Sequence, residues 1–126
     1  DIVITSLGVN DVTGGTRCKR WLQLQGELQC LLRDKFKAKY VLLSSVPPMH
    51  EFPALPQPLR WFLGRRSKAF NQVLEEQALA SSFTEFVKVQ FPIQKQYFAI
   101  DGFHPSADAY ELWSKLLLER IAELRV

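Results

Sequence analysis

Six segments alternate in type along this chain, and that alternation limits the folds open to it. Ile2 to Leu7 is apolar and rich in β-branched residues, as expected of a strand buried on both faces. Gly8 to Thr16 reads as a loop broken by Gly14-Gly15. With Thr16 as N-cap, Trp21, Leu24, Leu28, Leu31, Leu32 and Phe36 recur at helical spacing to about Lys37. Lys39 to Val46 is a second buried strand around Tyr40 to Leu43, stopped by Pro47-Pro48. Pro47 to Pro58 is a stiff loop, and a helix from Leu59 to about Ala80 follows, with a kink expected near Gly64. Phe86 to Phe91 alternates as a third strand, and Pro92 to Phe103 is loop. A last helix starts at Ser106 or Asp108, with Tyr110, Trp113, Leu117, Ile121 and Leu124 on its inner face.

Strands that alternate with helices pair in parallel, through right-handed crossovers. The expectation is an α/β fold. Ligands in such sheets sit beyond the carboxyl ends of the strands. The chain's 126 residues suffice for one domain, residues 1–126, with a real core. Sixteen basic against thirteen acidic residues leave +3, too small an excess to indicate nucleic acid. No apolar run approaches the ~20 residues of a membrane-spanning helix. Cys18 and Cys30 fall on one helix, roughly 18 Å apart by its rise, so they cannot pair with each other.

Two stretches carry chemistry, and both fall beyond strand ends. Asp101-Gly102-Phe103-His104-Pro105 offers a carboxylate and an imidazole three positions apart. A carboxylate holding Nδ1–H leaves Nε2 free as a base. Gly8-Val9-Asn10-Asp11 offers an amide that can donate to a developing oxyanion. Taken alone, Asn10 could equally close an Asx-turn, and Asp11 could tether its loop through backbone N–H groups. His50 is expected at the site mouth, not as the base. The cations Arg60, Arg65, Arg66 and Lys68 read as a solvated helix face. Ser44 and Ser45 read as strand-end hydrogen-bonders, and Ser6 lies inside the first strand. No serine sits on a strained elbow suited to a nucleophile. No metal-ligand spacing is present, and no cofactor is implied.

Together the two stretches resemble the SGNH hydrolases, the GDSL esterase/lipase family. Gly8-Val9-Asn10-Asp11 is similar to its third block, Gly-x-Asn-Asp, and Asp101 to Pro105 to its fifth, Asp-x-x-His-Pro. The resemblance covers nearly the whole chain. It implies a flavodoxin-like α/β/α sandwich that hydrolyses carboxylic esters. His104 would be the general base, Asp101 would orient it, and Asn10 would serve the oxyanion hole. Gly8, Met49, Phe52 and Phe103 are expected to contact a small-molecule ester. From position and composition, Met49, Phe52, Leu55, Trp61 and Phe62 would line an acyl pocket.

The family's first block, Gly-Asp-Ser, and the glycine of its second are not found here. The expectation is therefore a portion whose N-terminal strands and nucleophile lie upstream, by about 60 to 100 residues on the size of two strand–helix units. Ile2 to Leu7 would then be an apolar sheet edge that the missing half, or another chain, must cover. The chain alone would be inactive. A non-catalytic domain that binds an acylated or glycosylated ligand is the alternative, and a flavodoxin-like binding or signalling module a third. Neither acyl specificity nor compartment is legible.

Overall fold

The computed structural model describes residues 1–90, 92 and 94–124. Its three strands are β1 (Ile2–Thr5), β2 (Tyr40–Ser44) and β3 (Thr84–Val87), and its helices are α1 (Val9–Gly14), α2 (Cys18–Asp34), α3 (Leu59–Leu79) and α4 (Ala107–Glu123). The strands form one parallel sheet in the order β1-β2-β3. Ile4 pairs with Leu42, and Leu42 with Glu85. The alternating strand–helix order thus gives the parallel α/β sheet flanked by helices that it implies.

Side chains alternate across a pleated sheet, so each strand serves two faces. Val3, Val41, Leu43 and Phe86 point to the face packed by α2 and α3. There Trp21 and Phe70 stack at 4.6 Å between ring centroids, joining the two helices. Leu42 and Glu85 point to the other face. Glu85 pairs with Arg120 of α4, which places α4 on that side. Of the residues in α4 only Ala109 is fully buried. Ile4 and Leu118 are 43% and 62% exposed. The two faces are therefore covered very unequally.

Several local expectations change. Gly8 to Thr16 is not loop throughout, because Val9–Gly14 forms α1. Gly8 has φ +125°, and a Cβ there would lie 2.6 Å from a methyl of Val46. A conformation that L side chains rarely adopt thus turns the chain sharply off β1 and into the helix. The N-cap of α2 is Arg17, and Thr16 instead donates its hydroxyl to Asp11 Oδ1 at 3.1 Å. Asp11 does tie down its segment, but through that hydroxyl and its own backbone carbonyl, which accepts from Thr16 N–H at 3.0 Å.

Helix α3 runs through Gly64 without interruption. The glycine serves close packing: a Cβ would meet His50 Cβ at 2.4 Å and His50 backbone atoms at 3.0 Å. The third strand begins at Thr84 and ends at Val87, because Val89 N–H turns to Ser45 Oγ (2.8 Å) and leaves the ladder. Phe91, expected at its end, and Ile93, in the expected loop, lie outside the described residues. That loop includes a 3-10 turn, Lys95–Tyr97. Ser106 caps α4 by accepting from Ala109 N–H at 3.3 Å.

Candidate active site

Asp101 organises its own loop before it does anything else. Its Oδ1 accepts from the backbone N–H groups of Phe103 (2.9 Å) and His104 (3.0 Å). Gly102, at φ +67°, makes the turn between them. Ala99 N–H donates to His104 O at 2.8 Å, closing the loop's base. Phe103 packs edge-on against Phe52 at 5.1 Å, and Phe52 against Phe98 at 5.7 Å. Ala54 N–H donates to Gly102 O at 3.2 Å, so the proline-rich loop after β2 braces the turn.

The second carboxylate oxygen, Oδ2, lies 2.5 Å from His104 Nδ1. The His104 ring hydrogen bond, followed by the two backbone N–H groups, lowers the Asp101 carboxyl to about 2. At neutral pH it is ionised and can only accept, so Nδ1 carries the proton. Nε2 of the neutral ring then presents its lone pair. The His104 side chain is 70% exposed, and among the described residues no hydrogen bond to Nε2 is seen.

Asn10 lies in the first turn of α1, its helix aimed by the sharp turn at Gly8. Among the described residues its side chain forms no Asx-turn; its backbone carbonyl accepts from Thr13 Oγ1 at 3.3 Å. Asn10 and His104 line one cavity of about 250 Å³. The segment after β1 supplies Ser6 and Leu7 to its wall, α1 supplies Val9, and the segment after β2 supplies Ser45 and Pro47. Phe52, Phe98, Phe103 and Pro105 form a second side, and Tyr110 and Trp113 of α4 a third. The walls are mainly apolar, with a few converging polar groups, as small-molecule sites usually are.

Phe52 and Phe103 are thus beside the imidazole, but the other expected contacts are not. Gly8 is buried against Val46 and Trp21, behind the cavity wall. Met49 is fully buried in the core, and Leu55 also belongs to that core. Trp61 and Phe62 stand on the outer surface of α3. His50 faces a separate polar cleft with Glu51, Lys68 and Lys88. Ser6 lies past the end of β1 and reaches the cavity. Ser45 also reaches it, while its hydroxyl accepts from Val89 N–H.

Phe98, Tyr110 and Trp113 were not singled out as cavity residues from the sequence. A signal for the last two exists: both lie in the opening turns of the helix directly after the Asp-x-x-His loop.

A family model described as GDSL-like lipase/acylhydrolase matches residues 1–112. The chain belongs to that family. Two solved structures share this fold. One is a proposed platelet activating factor from Streptococcus pneumonia: 25% identity, TM-score 0.76, 95% of this chain and 59% of that one. The other is a proposed acylhydrolase from Bacteroides fragilis: 19% identity, TM-score 0.72, 97% of this chain and 61% of that one. The chain therefore spans about three fifths of the length of either protein. No curated protein matches.

Proposed function

We propose that this GDSL-like domain hydrolyses carboxylic esters by a serine mechanism, with His104 as general base and Asp101 as its positioning partner. The observation that carries the reading is the Asp101–His104 hydrogen bond, which leaves Nε2 free in a cavity shared with Asn10. A serine Oγ attacks the ester carbonyl while Nε2 takes its proton. The Asn10 amide donates to the oxyanion that forms. The imidazolium then returns the proton to the departing alcohol. Water, deprotonated by the same nitrogen, cleaves the acyl-enzyme and releases the acid. Asp101 stabilises the imidazolium in both steps.

We place the nucleophile and a second oxyanion donor on a segment N-terminal to Asp1, packed beside β1. Two observations support this. Ser6 and Ser45 both reach the cavity, yet neither is hydrogen-bonded to His104 among the described residues. β1 is an edge strand, paired only with β2 among the described residues, and its Ile4 and the following Leu7 are 43% and 46% exposed. Exposed apolar strand edges are sites of further pairing.

The test is hydrolysis of p-nitrophenyl acetate by the intact protein. His104→Ala should lower the rate on the order of 10²–10⁴-fold, and Asn10→Ala on the order of 10²–10³-fold. Ser6→Ala should leave it unchanged. Equal rates for wild type and His104→Ala would remove the imidazole from the mechanism. A dead Ser6→Ala variant with an intact fold would move the nucleophile into this chain.

A further inference from the structure

The basic stretch at the start of α3 has no part in the chemistry above, yet it is unusual as a helix surface. Trp61 and Phe62 are 56% and 53% exposed, and Leu59 beside them is 43% exposed. Large apolar side chains grouped on a surface mark an interaction site. Trp61 and Phe62 form a shallow groove with Arg65, Arg66 and Ala69. The Arg65 guanidinium lies over the Trp61 ring at 5.0 Å.

The charges that this stretch of α3 itself carries are of one sign. From Leu59 through Leu74, α3 holds Arg60, Arg65, Arg66 and Lys68 and no carboxylate; Glu75 is the first. Arg66 is committed to the fold, donating to the backbone carbonyls of Val12, Asp11 and Thr16. That tie brings the start of α2 alongside, and the next residue after Thr16 is the exposed Arg17. Arg60 donates to Leu55 O at 2.7 Å. Arg65 and Lys68 have no carboxylate partner among the described residues.

The patch also lies on the rim that carries the cavity. Helix α3 starts after the carboxyl end of β2, as α1 starts after that of β1. The loop from Phe52 to Pro58 links the two, touching Gly102 at one end and leading into Leu59 at the other.

We propose that this patch is a peripheral docking surface for an anionic lipid bilayer. Trp and Phe rings enter the headgroup–acyl boundary while the flanking cations meet lipid phosphates. Charge complementarity selects this occupant: exposed aromatic rings ringed by cations, with no acidic side chain on the same turns of the helix, match a negatively charged interface. The proposal stands apart from the hydrolytic reading, since none of these residues lines the cavity.

Co-sedimentation of the protein with vesicles tests it, comparing pure phosphatidylcholine with phosphatidylcholine containing phosphatidylglycerol. Binding should need the anionic lipid and weaken with added salt. Each cation is worth about fivefold near such a surface. Arg65→Glu/Lys68→Glu should therefore reduce the partition by at least about 25-fold, and Trp61→Ala/Phe62→Ala should reduce it too. Circular dichroism should show both variants folded, and p-nitrophenyl acetate hydrolysis should not change in either. Absence of binding to either vesicle would overturn the proposal, as would equal binding to both or full binding by the folded variants. A wild-type dimer that Trp61→Ala/Phe62→Ala converts to monomer would assign the patch to a second copy instead.

Discussion

The two faces of the sheet differ in what holds them together and in what they present. On the α2/α3 face, Trp21, Phe70, Leu74, Val41 and Leu43 are at most 2% exposed and touch one another across two helices and the sheet. On the α4 face, one helix with a single fully buried residue crosses the sheet, and Ile4, Tyr110 and Leu118 remain substantially exposed. The cavity opens where that thinner layer meets the strand ends, with Tyr110 and Trp113 in its wall. Stability thus resides mainly on one side, and the candidate chemistry on the side with fewer packing constraints. The Asp101–His104 loop, held by its own hydrogen bonds and an aromatic brace, does not need a dense layer behind it.

Substitutions on the two faces should separate this division by size of effect. Trp21→Ala removes the largest fully buried side chain of the α2/α3 face and should cost about 3–5 kcal/mol in denaturant unfolding. A cost below about 1 kcal/mol would mean that face is not the core. Gly64→Ala forces a methyl against the His50 backbone and should cost about 1–3 kcal/mol by overpacking. A stabilised variant would show instead that the helix kinks there in solution.

The site loop should respond to acid. The Asp101 carboxyl is depressed from 3.8 to about 2 in the folded protein. Its stabilising contribution is then complete above the unfolded value and is lost as the pH falls from about 4 towards 2. Half-exposed and screened, it should be a small contribution. The stability gap between wild type and Asp101→Asn should close over that window, and a gap that persists at pH 2 would assign Asp101 another role. Smallest of all, Leu118→Ala on the exposed side of α4 should shift unfolding by no more than about 0.5 kcal/mol. A loss several times larger would show that solution coverage of this face exceeds what the fold displays.

What was legible in the sequence follows from the range of the forces involved. Strand–helix alternation is a local hydrophobic pattern, so the element order and the parallel sheet could be read directly. The Asp101–His104 pair was equally readable, because a three-residue turn closed by backbone N–H groups brings those side chains together without help from distant chain. The positions that misled depend on contacts remote in sequence. Gly64 looks like a breaker until His50 is seen pressed against it. Met49 and Phe52 sit three residues apart in one loop, at the start of the 3-10 turn Met49–Glu51 and just past its end, and both belong to the buried core, yet of the two only Phe52 also lines the cavity. Trp61 and Phe62 look like pocket residues because they are aromatic and follow that loop. Their outward direction is set by Leu63, Ser67 and Phe70 occupying the buried side of α3. Helix α1 was missed because six residues are too few to show a period, and its start depends on the positive φ of Gly8.

The pairing of Asp101 with His104 as one functional unit is most directly tested by a double-mutant cycle on p-nitrophenyl acetate hydrolysis by the intact protein. If the carboxylate acts only through the imidazole, Asp101→Asn combined with His104→Ala will be no slower than His104→Ala alone. Losses that multiply independently in the double variant would contradict that coupling and separate the two side chains in the mechanism.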